Sequence, residues 1–224
     1  MGVIVALTII SIWGGHLLYV LNFYTVDYTS FLTYLHILIQ GYLYTGLFIT
    51  AHDAMHGTVA KNRFINDTIG RFASILFAAF SYEKLRKKHY LHHFHVGTKG
   101  DPDFNVKNQN FLAWWWKFMR EYLTIIQLFT MALLFNLLNV IFPLENIILF
   151  WIVPAFLGTF QLFYFGTFLP HRFPHTEEME PHRARTQRKN HLWAMLSCYF
   201  FGYHWEHHQW PRTPWWRMYS LKDR

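Results

Sequence analysis

The sequence predicts an all-α integral membrane protein with four transmembrane helices and a helical cap on the cytoplasmic side. The chain of 224 residues is 53% hydrophobic and 21% aromatic, which is more apolar surface than the core of one soluble domain of this length needs. Four stretches lack charged side chains and reach the length of about 20 residues that crosses a bilayer. They are residues 3–21, 28–51, 122–144 and 146–170.

The first stretch, residues 3–21, is predicted to be a retained span rather than a cleaved signal peptide. No basic segment precedes it, and no small-residue cleavage site with a soluble chain follows it. We therefore expect it to stay in the mature protein, with no N-terminal extension before it.

The basic residues orient these spans. All 20 Lys and Arg side chains lie in 61–120 or 172–224. By the positive-inside rule, both basic segments face the cytoplasm, and the connections near Asp27 and Glu145 face the other side. A basic surface beside anionic headgroups accounts for the net charge of +7, so no nucleic-acid partner is expected.

Residues 52–121, between the second and third spans, are predicted to form the cap. Within them, residues 64–80 show helical apolar spacing without proline, which predicts a helix on the membrane interface. Residues 191–203 are too short for a span and predict a further capping or re-entrant helix. The tryptophans at 114–116 precede the third span, where we expect them at the headgroup level. Because no repeat or linker is present, residues 1–224 are predicted to be one domain.

Histidines in three segments carry the chemical signal. The strings HDAMH at 52–56, HYLHH at 89–93 and HWEHH at 204–208 place imidazoles three or four residues apart, on one face of a helix. The charge rule puts all three segments on the cytoplasmic side, so their side chains can meet in one cluster. His171 follows the fourth span on that side and is a candidate ninth ligand. The other eight candidates are His52, His56, His89, His92, His93, His204, His207 and His208.

This cluster predicts a site for two metal ions. Neutral imidazole binds iron, zinc, copper and nickel, and eight or nine nitrogens exceed the four to six ligands of one ion. The Glu-x-x-His pairs of carboxylate-bridged di-iron bundles are absent from the chain. Cys198 is the only cysteine, which excludes a disulfide within the chain and a cysteine-based metal site. Ligand type leaves iron and zinc open, and no catalytic side chain beyond the metal centre is predicted.

Four carboxylates near the histidine strings are candidates for orienting an imidazole N–H. Asp53 and Glu206 lie inside the strings, between the ligand positions, where an ordinary salt bridge is the alternative. Asp101 and Asp103, in the string DPDF, indicate a turn first and an orienting role second.

Six further histidines have no predicted ligand role. Two lie inside the first two spans, where local packing or hydrogen bonding is favoured over function. One points off the ligand face of its helix, toward the surroundings of the site or solvent, and three are expected in loops. The two histidines inside the spans are His16 and His36, and the one that points off the ligand face is His95. The three expected in loops are His175, His182 and His191.

The three histidine strings, in this order among four spans, resemble those of the membrane fatty acid desaturase and hydroxylase superfamily. Within it, five longer strings are similar to the bacterial and cyanobacterial beta-carotene ketolase family. They are HDAMHG at 52–57, LHHFH at 91–95, DPDF at 101–104, FGTFLPHR at 165–172 and GYHWEHHQWPRTPWW at 202–216. The resemblance runs from about residue 50 to 217, whereas the first 45 residues agree only in apolar character.

The resemblance implies a non-haem di-iron oxygenase in a bacterial inner or thylakoid-type membrane, with its active site on the cytoplasmic face. Two iron ions and O2 would oxidise the C4 methylene of the beta-ionone ring to a ketone by two successive hydroxylations. Beta-carotene would give echinenone and canthaxanthin, and zeaxanthin would lead toward astaxanthin. The alternatives are a carotenoid ring hydroxylase or an acyl-lipid desaturase of the same superfamily, and, from another class, a histidine-rich metal carrier or sensor.

Such an enzyme needs partners for its electrons and its substrate. The chain has no glycine-rich dinucleotide motif and no cysteine cluster, so the electrons must come from an external donor. The resemblance implies ferredoxin and its reductase, and a basic cytoplasmic face suits an acidic carrier. The carotenoid is expected to enter from the membrane lipid along an aromatic path from Phe160 to Phe168 toward His171.

Overall fold

The computed structural model describes residues 1–222, and this part of the chain is helical, with no β-strand. One isolated bridge joins Thr186 and Tyr203. The all-α prediction is therefore confirmed. The helices are α1 (Gly2–Asn22), α2 (Phe31–Met55), α3 (Arg63–Ala78), α4 (Tyr82–His95), α5 (Phe111–Tyr122), α6 (Ile125–Asn139), α7 (Leu144–His171), α8 (His191–Cys198) and α9 (His204–Gln209).

Helices α1, α2 and α7 are long and apolar enough to cross a bilayer. They coincide with the first, second and fourth predicted stretches. Helix α7 has 28 residues and contains two π-helical turns, Ile148–Ile152 and Tyr164–Phe168. Such turns shift the face that a helix presents to its neighbours, and they are frequent at functional sites.

The third predicted stretch, 122–144, is wrong as a single straight helix. Helices α5 and α6 meet at a bend of 90°, and α6 has only 15 residues. Thr124 starts the new helix because its side chain accepts the backbone N–H of Gln127, which is an N-cap. The bent pair adds a fourth crossing only if both helices count as one broken span.

The remaining short helices follow local capping signals. Helix α3 confirms the helix predicted over 64–80; Asn62 caps its start, and Ala79 ends it in a left-handed conformation. The helix predicted over 191–203 is shorter, because Tyr199 also adopts a left-handed conformation, with φ of 47°, and ends α8 at Cys198.

Trp114 corrects the prediction that all three tryptophans at 114–116 lie at the headgroup level. Its ring is fully buried, and its indole N–H donates to the carbonyl oxygen of Asp103 at 2.6 Å. Trp115 stacks on Phe160 with ring centroids 4.3 Å apart, whereas Trp116 is 59% exposed. The amphipathic helix α5 thus turns Trp114 into the protein, where it anchors the loop that carries the DPDF string.

Helix α2 lies at the centre of the fold, in contact with α1, α3 and α7. Its C-terminal half is buried, including Thr50, Ala51 and His52. Glycines let it approach α7 closely: a Cβ atom at Gly158 would lie 3.2 Å from the carbonyl oxygen of Gly41. This packing fixes the last turn of α2 beside the other helices that carry histidines.

Candidate metal centre

The last turn of α2, helix α4 and helix α9 meet at one end of the molecule, beside the C-terminal end of α7. Helical spacing aims the histidines of each segment at this meeting point, as the sequence predicted. All nine predicted histidines lie there, and their ligand atoms form two neighbouring groups joined by His93.

The first group combines side chains from α4, α9 and the end of α2. One nitrogen from each lies within 4.8 Å of the others, and the Nε2 atoms of His56 and His89 are 2.6 Å apart. The members of this group are His52, His56, His89 and His207.

The second group adds the end of α7 to α4 and α9. Its four ligand nitrogens also lie within 4.8 Å of one another, and the Nε2 atoms of His204 and His208 are 3.2 Å apart. The members are His92, His171, His204 and His208.

His93 lies between the two groups. Its Nε2 atom is 3.1 Å from Nε2 of His89 and 3.0 Å from Nε2 of His207. Its ring also approaches that of His208, with centroids 4.3 Å apart. The nitrogen contacts assign His93 to the first group, which then has five imidazoles beside the four of the second.

The spacing of the nitrogens fits a shared metal ion. Imidazole nitrogen lies about 2.0–2.1 Å from a bound ion such as Zn²⁺, so two ligands at a right angle are about 2.9 Å apart. The Nε2 atom of His93 lies 3.0–3.1 Å from those of His89 and His207, close to that value. Nitrogen pairs at this distance therefore suit neighbouring ligands of one ion.

Buried nitrogens without a hydrogen-bond partner support the same conclusion. Within residues 1–222, three Nε2 atoms and one Nδ1 atom of the groups are buried and unpaired. A buried polar atom without a partner is costly, and a bound metal would satisfy it. These atoms are Nε2 of His52, His92 and His171, and Nδ1 of His204.

The opposite ring nitrogens of two of these histidines are held by hydrogen bonds. Nδ1 of His92 donates to Asp101 at 2.9 Å, and Nδ1 of His171 donates to the carbonyl oxygen of Arg183 at 2.9 Å. Each bond fixes the ring orientation and occupies Nδ1, which leaves Nε2 as the nitrogen that can bind a metal.

Burial keeps most of these imidazoles neutral. It lowers the pKa of His56 to about 4 and holds the pKa values of His89 and His207 well below the ordinary value. His92 differs: burial lowers its pKa, but the charges of Asp101 and Asp103 outweigh burial and raise it to about 9. Neutral imidazole is the form that binds metals, so burial favours the metal-binding form of most of these histidines.

The four candidate carboxylates divide by their contacts. Asp101 bonds to His92 and also accepts the backbone N–H groups of Gly97 and Asp103, so it makes both the turn and the imidazole contact. Asp103 lies 3.8 Å from Nδ1 of His92 and accepts the hydroxyl of Tyr122.

The other two carboxylates lie within the histidine helices. Asp53 accepts the backbone N–H of Trp215 at 3.1 Å and lies 3.8 Å from Nδ1 of His52. It therefore ties the C-terminal segment to α2 more directly than it orients His52. Glu206 is buried within α9.

The six other histidines lie outside the two groups. His95 is exposed, and Nε2 of His175 donates to the carbonyl oxygen of His171 at 2.9 Å. His182 bonds to Gln209. His191, which was expected in a loop, is instead the first residue of α8 and bonds to the hydroxyl of Tyr203.

His16 and His36, inside the first two spans, hydrogen-bond to each other. Their ring nitrogens are 3.0 Å apart, and His16 also bonds to Gln40 at 2.5 Å. The preference for hydrogen bonding over function agrees with this contact, which links α1 to α2 within the apolar region.

An apolar cavity of about 470 Å³ opens on both histidine groups. His52 and His89 of the first group and His92 and His204 of the second line one part of it. Its apolar walls come from α2, α3, α6 and α7 and include Phe48, Phe77, Met131, Phe135, Trp151 and Phe156.

The predicted aromatic path from Phe160 to Phe168 lies on the wrong face of α7, because these two side chains do not line the cavity. Phe160 stacks on Trp115, and Phe168 packs on Trp114 at 5.5 Å, away from the cavity. The same segment of α7 lines the cavity through Leu162, Gly166 and Thr167, and the cavity reaches His204 rather than ending at His171. The π-helical turn Tyr164–Phe168 lies within this segment. A prediction that assumes a regular α-helix of 3.6 residues per turn does not include such a turn.

Comparison with known proteins agrees with this arrangement. The model of the family described as fatty acid desaturase matches residues 29–140 and 116–224. The beta-carotene ketolase of Paracoccus sp. (strain PC1) is 40% identical over 186 residues, which cover 79% of this chain and 74% of that relative. This chain belongs to the fatty acid desaturase family.

Two longer relatives match almost the whole length of this chain. The zeaxanthin 4-ketolase of Chlamydomonas reinhardtii is 41% identical over 97% of this chain and 52% of that protein. The beta-carotene 4-ketolase of Protosiphon botryoides is 38% identical over 97% of this chain and 62% of that protein. The chain thus spans between half and two thirds of their lengths. No solved structure matches it.

Sequence reasoning missed two contacts in this fatty acid desaturase centre. The carbonyl oxygen of Arg183 fixes His171, and the hydroxyl of Tyr122 holds Asp103. The first is a backbone contact and leaves no signal in residue type. Tyr122 follows a charged, amphipathic stretch and looks like an ordinary interface aromatic.

Proposed function

We propose that this chain is a beta-carotene 4-ketolase, a non-haem di-iron oxygenase that converts the C4 methylene of the beta-ionone ring to a ketone. The observation that carries the proposal is the pair of histidine groups opening on an apolar cavity. Identity of about 40% to proteins named as beta-carotene and zeaxanthin ketolases supports the substrate class.

The two groups are proposed to hold one iron ion each. His93 completes the first group, whose five imidazoles lie beside the four of the second. A bound pair of iron ions supplies O2 activation, the chemistry that breaks a C–H bond too weakly acidic for any side-chain base. Asp101 and the carbonyl oxygen of Arg183 keep His92 and His171 in the orientation that ligation needs.

The cavity is proposed to bind the ring and the start of the polyene. Its apolar walls exclude water and favour a hydrocarbon over any polar substrate. Each oxidation consumes one O2, two electrons and two protons and replaces one C–H bond with C–OH, with water as the other product. A second round at the same carbon gives a geminal diol, which loses water to form the ketone.

We propose that the shape of the site retains the substrate ring between the two rounds. Phe201 lines the cavity and packs against His52 at 4.9 Å and His204 at 5.2 Å, one histidine from each group. The ring of the proposed substrate would therefore contact the apolar side chain of Phe201 directly beside the proposed metal ligands. A wall at this position keeps the same carbon facing the metals after the first oxidation.

We propose that the electrons come from an external carrier, ferredoxin with its reductase. The basic segments 61–120 and 172–222 include α4 and α9, so their charge lies around the metal centre, where an acidic carrier can dock. Purified protein that turned over with iron, O2 and NADPH alone would contradict this proposal.

We also propose four membrane crossings, with the cap and the metal centre on the cytoplasmic side. The bent pair α5 and α6 would form the third crossing. The absence of Lys and Arg from 1–60 and 121–171 supports this orientation.

Pigment analysis of cells that make beta-carotene tests the proposed activity. Expression of this chain is expected to yield echinenone and canthaxanthin. His56→Ala, His92→Ala and His207→Ala are each expected to lower ketone formation at least about 100-fold at equal protein level, because each removes a proposed ligand. Iron per chain in the purified variants is expected to fall as well.

His95→Ala is the matched control, because His95 lies on the same helix as His92 but is exposed. It is expected to keep both ketone formation and iron content. Hydroxylated pigment without ketone would instead assign a ring hydroxylase, and desaturated acyl lipids would assign a desaturase. Bound metal without O2 consumption would identify a carrier.

A further inference from the structure

Gln127 places an amide group in the wall of the otherwise apolar cavity. It is the third residue of α6, directly after the bend between α5 and α6, and it is only 4% exposed. Buried amides are normally satisfied by hydrogen bonds. The hydrogen bonds of the Gln127 amide therefore indicate the role of this side chain.

The orientation of the Gln127 amide is set by one neighbour. Its Nε2 donates to the carbonyl oxygen of Ala78 at 2.7 Å. A carbonyl oxygen needs a donor, so the amide nitrogen must face Ala78 and Oε1 must face elsewhere. Among the residues that the structure describes, Oε1 is buried and has no hydrogen-bond partner.

Two other polar side chains of the cavity, neither of them a candidate metal ligand, are already satisfied. The hydroxyl of Tyr122 donates to Asp103, and the hydroxyl of Thr159 donates to the carbonyl oxygen of Ala155 at 2.9 Å. Gln127 differs from them because half of its amide is left unpaired. An amide oxygen can only accept, so the group that satisfies it must be a donor, and a ligand in the cavity can carry one.

Gln127 lines the same cavity as His52 and His92, one histidine from each group. Five residues before it, Tyr122 contacts Asp103, which lies 3.8 Å from Nδ1 of His92. Ala78, its partner, ends α3, which packs on the histidine-bearing α2. The unpaired oxygen thus belongs to a side chain of the cavity in which the proposed function places the ring of the substrate.

We propose that Oε1 of Gln127 accepts a hydrogen bond from a hydroxyl group on the carotenoid ring. This inference rests on the proposed function and adds a determinant of specificity to it. Beta-carotene has no hydroxyl, so the donor has two sources. One is the C3 hydroxyl of a substrate such as zeaxanthin, and the other is the C4 alcohol formed by the first oxidation.

Gln127→Met tests the proposal, because it keeps the length of the side chain and removes the acceptor. Membranes containing the enzyme, ferredoxin and its reductase are given zeaxanthin and beta-carotene together. If the C3 hydroxyl is the donor, the ratio of kcat/KM for zeaxanthin to that for beta-carotene is expected to fall about fivefold. The share of zeaxanthin in the pigment that copurifies with the protein is expected to fall in parallel.

A second arm uses cells that make only beta-carotene. If the C4 alcohol is the donor, Gln127→Met is expected to release it, and the ratio of C4 alcohol to ketone is expected to rise about fivefold. Loss of the bond to Ala78 lowers activity on every substrate alike, so ratios separate recognition from a structural defect. Thr130→Val is the matched control, because Thr130 lies on the same helix as Gln127 and its hydroxyl is already paired with the carbonyl oxygen of Ile126. Both ratios are expected to stay unchanged.

Unchanged ratios in both arms, with wild-type ketone formation intact, overturn the role of Gln127 and leave the proposed function standing. An equal loss of activity on both substrates, with unchanged pigment binding, also overturns it and assigns Gln127 to folding. If the wild-type chain forms no ketone from either pigment, the proposed function fails, and the inference fails with it.

Discussion

At the scale of the residue, Asp101 connects the DPDF turn to the metal centre. Its Oδ1 accepts from Nδ1 of His92 at 2.9 Å, and its Oδ2 accepts the backbone N–H of Gly97 at 2.9 Å. The turn and the orienting role that the sequence left as alternatives are therefore served by one carboxylate. Despite burial, which raises a carboxyl pKa, the charge of His92 holds the pKa of Asp101 below its ordinary value.

Asp101→Asn is expected to weaken iron binding about 10- to 100-fold. The amide lacks the negative charge that makes the imidazole of His92 a stronger ligand through Nε2, although it can keep part of the turn. Titration of the purified protein with a chelator, followed by measurement of iron per chain, determines the change.

Asp103→Asn is the comparison, because Asp103 lies 3.8 Å from His92 and its carboxyl is occupied by Tyr122. It is expected to weaken iron binding less than Asp101→Asn does. Equal losses in the two variants would contradict a specific role for Asp101.

At the scale of the element, the π-helical turn Tyr164–Phe168 shapes the cavity wall. It presents Gly166 to Phe201, and a Cβ atom at Gly166 would overlap the aromatic ring. Phe201 in turn contacts one histidine of each group, His52 and His204. The absence of a side chain at 166 is therefore coupled to the spacing of the proposed ligands.

Gly166→Ala is expected to lower ketone formation about tenfold or more. The new methyl group must displace Phe201, and overpacking of this kind costs about 1–3 kcal/mol. Pigment analysis and iron per chain provide the measurements.

Gly15→Ala makes the same substitution in α1, where a Cβ atom meets nothing within 4 Å. It is expected to leave both quantities unchanged. Full activity of Gly166→Ala would show that Phe201 has room to move without disturbing His52 or His204.

At the scale of the whole molecule, helices α2, α4, α7 and α9 bring both histidine groups together beside one apolar cavity. The lysines and arginines lie in the sequence segments that contain α4 and α9, whereas the apolar helices α1, α2 and α7 contain none. In the proposed membrane orientation, the proposed substrate would approach from the apolar helices and the proposed electron carrier from the basic segments.

Reporter fusions test this orientation in a bacterial host. Alkaline phosphatase, which is active only outside the cytoplasm, is expected to be active when fused after Glu145 and inactive when fused after Lys99. A fluorescent protein fused after Lys222 is expected to fluoresce, because the C-terminal segment is proposed to be cytoplasmic. The reverse pattern would place the metal centre on the other side of the membrane.

The sequence by itself determined the helical class and the nine histidines that meet. Both follow from local patterns: apolar runs long enough for a bilayer, and imidazoles spaced three or four residues apart on one helical face. Even the break in the third stretch has a local cause, the N-cap of Thr124, although its hydroxyl could not be distinguished from that of any other threonine in an apolar run.

Only the tertiary structure decided how the histidines divide and which side of α7 faces the cavity. His93 joins its group through His207, 114 residues away, and His92 and His93 are adjacent in sequence yet serve different groups. The amide of Gln127 is likewise oriented by a hydrogen bond to the carbonyl oxygen of Ala78, 49 residues earlier. These contacts depend on where helices cross, and crossing is set by packing between distant segments, which no local spacing contains.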